Sequence, residues 1–260
     1  RKSHFPHSQD RPPRLRLYAL EYHCEHCAES HTGRFFKAAD FHDLEKLTLA
    51  SQSLQASSET WIPEQQIPPG DETARLHRWG YTTYLQRFND RQLLGLEVLA
   101  EEISKVDDRP TKEALLTVFS DFLRYQNMLC RYDSYALKIS DIFSVHGFPI
   151  SVTQCENNLL GIPGIGSGGY RHFVEKYKRA KTFGAEPFEK SLSSRRRVYI
   201  SGERIAAEFV DEIPKRSNGR LAFLAAASAD KITLAPQSLD AVFTDPPYFG
   251  NVQYAELIDF

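Results

Sequence analysis

The 260-residue sequence has little of several features that mark specialised protein classes. No run approaches the ~20 apolar residues of a membrane-spanning helix, so we expect no membrane contact. Only four cysteines occur, and a chain of this length does not need a disulfide framework for its stability. We therefore expect a cytoplasmic protein. The net charge is only −2, so any contact with nucleic acid must come from a local basic patch.

Methionine is also scarce, since Met128 is the only one in the chain. The sequence starts at Arg1 and ends at Phe260, inside a segment with a helical pattern. We therefore expect a central fragment of a longer protein, with residues missing at both ends. The length suffices for one large domain or two small ones.

The most informative segment spans residues 239–250, where a short apolar run precedes Asp-Pro-Pro-Tyr. The run at residues 241–243 predicts a strand buried on both faces of a parallel sheet. Pro246 and Pro247 end this strand, because proline cannot donate a ladder hydrogen bond. The pattern predicts a rigid loop at the carboxyl end of a strand, where open α/β sheets bind ligands.

The residue types of this tetrapeptide suit the methylation of an amino group on a nucleic-acid base. Such an amine is a poor nucleophile, because its lone pair is delocalised into the ring. The Asp245 carboxylate and the Pro246 carbonyl can accept its two N–H bonds and stabilise the positive charge that develops on nitrogen. Tyr248 offers a face for stacking a flipped-out base, and Phe249 can shape the pocket. The alternative is a plain turn between a strand and a helix.

We therefore predict four catalytic residues, of which Tyr248 also binds substrate together with Phe249. The catalytic residues are Asp245, Pro246, Pro247 and Tyr248.

A second motif, Cys24-Glu25-His26-Cys27, lies between two segments with the pattern of strands. This arrangement predicts half of a zinc ribbon, because thiolates at this spacing can bind one tetrahedral Zn²⁺. Cys24 and Cys27 are the predicted metal ligands. A full site needs four ligands, and Cys130 and Cys155 lie far away in sequence. A metal-free degenerate ribbon and a redox pair are the alternatives.

Helical periodicity dominates the region between the two motifs. The pattern predicts helices near residues 39–55, 90–103, 110–123 and 170–181, and a helix or a broken helix over residues 124–145. The glycine-rich segment 162–169 matches neither the dinucleotide-binding nor the P-loop order, and we interpret it as a flexible or phosphate-contacting loop, or a plain hinge. The last helix and Arg195, Arg196 and Arg197 make the most basic stretch, for which a solvated surface is the alternative.

Taken together, these segments resemble a prokaryotic adenine-specific DNA methylase family that contains a zinc ribbon. The resemblance rests on the CxxC motif with residues 33–37, on residues 89–92, on residues 166–173 and on residues 244–260. It implies an α/β fold containing part of a Rossmann-like methyltransferase sheet. Residues 1–38 would form a zinc-ribbon-like segment, residues 39–190 a mostly helical insertion for target recognition, and residues 191–260 the part carrying the catalytic motif.

The resemblance also implies S-adenosylmethionine as cofactor, a structural zinc ion and DNA as partner. Other subunits of a restriction-modification or phage-defence system are further implied partners. Asp230 is the implied cofactor contact, because an acidic residue shortly before the catalytic strand lies near the cofactor adenine in such enzymes. The family's glycine-rich cofactor loop has no match here. We therefore expect this fragment alone to be inactive.

Two other functions agree with the same residues. The tetrapeptide also suits an amino-methyltransferase that acts on an RNA base. A non-catalytic, zinc-containing module that binds nucleic acid would use Cys24, Cys27 and the basic helix instead.

Overall fold

The structure is a computed structural model that describes residues 11–30, 32–57, 62, 64–145, 147–151, 153–200, 206–214, 217–232 and 234–246. Its helices are α1 (Phe41–Ala56), α2 (Thr73–Arg78), α3 (Asp90–Ser104), α4 (Arg109–Leu123) and α5 (Tyr170–Ala185). Its strands are β1 (Ala19–His23), β2 (Arg34–Ala38), β3 (Arg131–Asp133), β4 (Lys138–Ser140), β5 (Phe188–Lys190), β6 (Arg197–Tyr199), β7 (Glu208–Val210) and β8 (Leu221–Phe223). Among these residues, no helix combines the length and the apolar character needed to span a bilayer.

The chain divides into two compact units. Unit 1 comprises Arg1–Tyr177 and Tyr248–Phe260, and unit 2 comprises Lys178–Pro247. Helix α5 therefore begins in unit 1 and ends in unit 2. The three-part organisation expected from the sequence, with limits at residues 38 and 190, stays a prediction.

The helices of unit 1 begin at side chains that satisfy their first backbone amides. Asp40 caps α1, Asn89 caps α3 and Asp108 caps α4, each accepting a hydrogen bond from an amide three residues later. Pro110 occupies the first turn of α4, where its missing N–H costs nothing. These signals are local, and the helices predicted near residues 39–55, 90–103, 110–123 and 170–181 are confirmed.

Two apolar clusters form the core of unit 1. The first consists of Ile67, Leu76, Tyr81, Tyr84, Leu129, Ile142 and Phe148. The second consists of Leu96, Ile103, Val118, Phe122, Tyr170 and Phe173. The second cluster joins α3, α4 and α5 through Phe122, whose ring meets Tyr170 edge-on at 5.4 Å and Phe173 at 6.1 Å between centroids. Aromatic rings prefer this geometry to a face-to-face stack.

The helix or broken helix predicted over residues 124–145 is wrong. Helix α4 ends at Leu123, and the chain then forms the antiparallel hairpin β3–β4. The buried Asn127 side chain explains the end of the helix, because its amide lies within hydrogen-bonding distance of the Leu123 and Arg124 carbonyls. Its oxygen accepts from the Leu129 amide. A short polar side chain that takes over backbone partners in this way competes with the helix.

All sheets in the described part of the chain have two strands. The pairs β1–β2, β3–β4 and β5–β6 are antiparallel, whereas β7 and β8 run parallel. The structure is therefore a mixed α/β arrangement of helices and small sheets. Neither a Rossmann-like sheet nor a complete zinc ribbon is formed by the residues that the structure describes.

Candidate functional site

The segment that leads into the Asp-Pro-Pro-Tyr motif lies in unit 2 and is exposed. The buried strand predicted at residues 241–243 is wrong, because these residues have no regular secondary structure. Val242 is 70% exposed and Phe243 is 95% exposed. A strand needs a neighbour for its backbone hydrogen bonds, and no described strand pairs with this segment.

Asp245 is the first residue of the motif, and its side chain is exposed. No ion pair or hydrogen bond joins its carboxylate to another described residue, so both oxygens remain available as acceptors. Pro246 is also exposed and keeps its carbonyl acceptor. Pro247, Tyr248 and Phe249, the other predicted catalytic and substrate-binding residues, lie outside the described residues.

Asp230, the residue expected to contact the cofactor, lies in a single turn of 3-10 helix (Ala229–Lys231) in unit 2. Its side chain is exposed and accepts a hydrogen bond from the Ser228 hydroxyl. One carboxylate oxygen is thus bound locally, and no hydrogen bond or ion pair among the described residues joins Asp230 to Asp245. The structure does not join the two predicted acidic site residues.

The CxxC motif forms a knuckle at the end of the hairpin β1–β2. The Cys27 amide donates to the Cys24 sulfur at 3.3 Å, and the Cys24 amide donates to the Gly33 carbonyl at 2.8 Å. Gly33 has φ +69°, and a Cβ there would lie 2.7 Å from the Cys24 carbonyl oxygen, so the turn requires glycine. The sequence predicted this combination of two strands, a knuckle and a turn.

The two thiols of the knuckle differ in acidity. Hydrogen bonds from the Cys27 amide and thiol lower the pKa of Cys24. The same side-chain bond raises the pKa of Cys27, because Cys27 is the donor. Cys24 is therefore the thiol that more readily provides a thiolate, which is the form that binds metals and attacks electrophiles.

The described residues do not complete a zinc site around this knuckle. They contain no group of three or more Cys, His, Asp or Glu side chains arranged to hold a metal. The hairpin β3–β4 contacts β1–β2, because Tyr132 donates to Glu21 at 3.0 Å and Arg34 donates to the Leu137 carbonyl. The turn of this second hairpin, residues 134–137, carries neither cysteine nor histidine.

The other two cysteines lie apart from the knuckle motif in sequence and are shielded. Cys130 is buried, its thiol donates to the Arg124 carbonyl at 3.3 Å, and burial raises its pKa to about 12. Burial also raises the pKa of Cys155. Both groups therefore favour the neutral thiol rather than the thiolate that a metal requires.

The glycine-rich segment before α5 is held by side chains, and the first two amides of α5 are already hydrogen-bonded. Gln126, which is 1% exposed, donates to the Gly168 carbonyl at 2.9 Å, and Asn157 donates to the Ser167 carbonyl at 3.0 Å. The first amides of α5 donate to the carbonyls of residues 159 and 160 at 2.8 and 3.1 Å. An anion at the start of α5 would have to displace the bonds of these two helix amides.

Sequence reasoning found the motifs but missed the contacts that hold them. It did not predict the hairpin β3–β4 beside the knuckle, although the Arg, Tyr and Asn residues of that region are unusual for a simple core helix. Searches of protein-family models, of curated proteins and of solved structures find no match to this chain.

Proposed function

We propose that the chain belongs to an S-adenosylmethionine-dependent methyltransferase that modifies an exocyclic amine of a DNA base, adenine N6. The observation that carries this proposal is Asp245 at the head of Asp-Pro-Pro-Tyr. Its carboxylate is exposed, and no structural ion pair among the described residues occupies it. An exposed carboxylate without a partner can accept hydrogen bonds from a substrate amine.

The proposed chemistry assigns separate roles to the first two residues of the motif. Asp245 accepts one N–H of the target amine, and the Pro246 carbonyl accepts the other. Both contacts strengthen as positive charge develops on the nitrogen, so they favour the transition state over the ground state. The prolines restrict the backbone and keep the two acceptors at a fixed spacing. Tyr248 stacks against the base that has left the duplex.

S-adenosylmethionine supplies the methyl group in this class of reaction. The first two amides of α5, which follow the glycine-rich segment, are already hydrogen-bonded and do not offer a site for it. Asp230 is the remaining proposed contact with this cofactor. The proposal therefore concerns the part of the enzyme that binds and activates the acceptor base.

The parallel pair β7–β8 supports the proposed membership of a Rossmann-like sheet. Parallel strands are normally covered on both faces by other elements. Phe209 on β7 is 73% exposed, and Phe223 on β8 is 40% exposed. We propose that this pair is part of a larger parallel sheet in which these rings are covered.

We also propose a structural zinc ion at Cys24 and Cys27. The knuckle geometry, with the Cys27 amide donating to the Cys24 sulfur, favours a metal ligand over an inert thiol. If this site is the functional centre and Asp245 is not, the chain is a zinc-containing module that binds nucleic acid. Metal analysis of the purified protein, compared with a Cys24→Ser variant, measures the occupancy directly.

Product analysis tests the proposed reaction. The intact protein is incubated with labelled S-adenosylmethionine and either duplex DNA or RNA, and the modified nucleosides are separated after digestion. The expected product is N6-methyladenine in DNA. Label found in cytosine or in RNA would identify a different substrate. Label in neither polymer would contradict the enzymatic proposal.

A further inference from the structure

The hairpin β5–β6 in unit 2 has a geometry that the sequence did not predict. Its register pairs Phe188 with Tyr199 and Lys190 with Arg197. Residues directly opposite each other on paired strands share a face of the sheet, as do residues two apart. All four side chains therefore lie on one face, with the aromatic pair at the base and the cationic pair next to the tip.

The tip of this hairpin is ordered by its own hydrogen bonds. The Ser191 amide donates to the Arg196 carbonyl at 2.9 Å, and the Arg195 amide donates back to the Ser191 carbonyl at 2.9 Å. The Ser191 hydroxyl also accepts from the Ser194 amide at 3.3 Å. These bonds hold the turn that carries Arg195 and Arg196, both of which are exposed.

The segment around the hairpin is positively charged, whereas the whole chain carries a small negative charge. Residues 178–200 contain seven Lys or Arg side chains and two Glu side chains, a net charge of +5, whereas the complete chain carries −2. The cationic residues are Lys178, Arg179, Lys181, Lys190, Arg195, Arg196 and Arg197. A potential of this sign over so short a segment attracts polyanions.

The cations of the hairpin have no acidic partners among the residues that the structure describes. In the part of the chain that the structure describes, no ion pair joins Lys190, Arg195, Arg196 or Arg197 to a carboxylate, although such pairs are frequent in unit 1. Like charges placed directly opposite each other destabilise a strand pair. The arrangement of Lys190 and Arg197 therefore works against folding unless a bound anion neutralises it.

Aromatic contacts hold the cationic face in place. The Arg197 guanidinium lies over the Phe188 ring at 4.6 Å from its centroid. Phe188 in turn meets Phe183 of α5 edge-on at 5.2 Å and Tyr199 at 5.9 Å. Stacking on a ring limits the rotation of Arg197, so its N–H groups are directed before a ligand arrives.

We infer that the hairpin β5–β6 binds the phosphate backbone of duplex DNA through Arg195, Arg196 and Arg197. A two-stranded ribbon fits the major groove, and arginine forks match the geometry of phosphate oxygens. The choice of DNA rests on the proposed function, and the hairpin would hold the duplex while Asp245 acts on the base. Phosphate contacts position a duplex without reading its sequence.

Salt-dependent binding tests the inference without any measurement of methyl transfer. The 260-residue chain is titrated against a short fluorescent duplex between about 50 and 200 mM salt. A triple variant, Arg195→Gln/Arg196→Gln/Arg197→Gln, loses three phosphate contacts. The log-log salt slope should fall by about 2.7, so wild type should lose about 40-fold more affinity than the variant across this range.

Two further variants separate charge from folding. Arg195→Lys/Arg196→Lys/Arg197→Lys keeps the cations and should retain most of the wild-type salt slope. Arg14→Gln/Arg16→Gln/Lys46→Gln removes three exposed cations of unit 1 and should leave the slope unchanged. Circular dichroism verifies that each variant is folded.

Three results would overturn the inference. These are an unchanged slope in the glutamine variant, an equal loss in the unit 1 control, and tighter binding of single-stranded RNA or anionic vesicles than of the duplex. Duplex binding that depends on the hairpin, without methyl transfer by the intact protein, would support the inference while contradicting the proposed function.

Discussion

Substitution of Gly168 by alanine tests whether the glycine-rich segment is a packed structural element. Gly168 has φ +91°, a conformation that L-residues rarely adopt. An added Cβ would clash with the side-chain amide nitrogen of Asn157 and lie 2.5 Å from a Tyr125 ring carbon. Gly164, in the same segment, has φ +73° but nothing within 4 Å of an added Cβ. The two positions differ mainly in their surroundings.

The expected costs follow from this comparison. Both substitutions place alanine in the left-handed region, at about 1–2 kcal/mol each. Gly168→Ala adds the overpacking of a closed site, at about 1–3 kcal/mol. The excess of Gly168→Ala over Gly164→Ala isolates the packing term, because the backbone term is common to both. We expect that excess to be about 1–3 kcal/mol in the free energy of unfolding.

Urea denaturation measures both costs. Unfolding is followed by tryptophan fluorescence, to which Trp79 contributes because it packs against the first core cluster of unit 1. With a slope of about 2 kcal/mol per molar urea, the midpoints of the two variants should differ by roughly 0.5–1.5 M. Equal midpoints would refute the packed description of this segment. Stabilisation of wild type by inorganic phosphate, lost in both variants, would instead support an anion-binding loop.

Two other residues of unit 1 allow direct tests. Burial raises the pKa of Cys130 from 9.0 to about 12, so the native protein keeps a proton that the unfolded chain loses in this range. Stability should therefore fall as the pH rises from about 9 towards 12, and urea denaturation should show a smaller fall in Cys130→Ala. Asn89 accepts from the Gln92 amide at 2.8 Å and donates to Glu156 at 2.7 Å. Asn89→Ala should cost about 1–2 kcal/mol of stability, and Asn89→Ser should restore part of this loss. Thermal unfolding measures both variants, and wild-type unfolding temperatures in both would contradict the role of Asn89 as a cap.

The elements that the sequence predicted correctly depend on short-range signals. The caps at Asp40, Asn89 and Asp108 act within one turn of the helices that they start. The knuckle follows from two cysteines and Gly33, which lie within a few residues of each other. Such signals need no knowledge of distant contacts.

The errors arose where the outcome depends on partners far away in the chain. An apolar run such as residues 241–243 becomes a strand only if a neighbouring strand accepts its backbone bonds, and none of the described strands does so. The region after α4 contains enough apolar residues for a helix, but the Asn127 side chain and the contact of Tyr132 with Glu21 favour a hairpin. The bond between Gln126 and the glycine-rich segment spans 42 residues, so it could not be predicted from the local sequence.

The central claim is that the Asp245 carboxylate activates the amine of a DNA base. Single-turnover methyl transfer by the intact protein tests it most directly, with Asp245→Ala compared with Asp240→Ala. Asp240 is an exposed acid in the same segment and has no assigned role. Removing one fixed acceptor should slow the Asp245 variant about 10²–10³-fold, with duplex binding retained and the Asp240 variant near wild type. An Asp245 variant that transfers methyl groups at the wild-type rate would contradict the account.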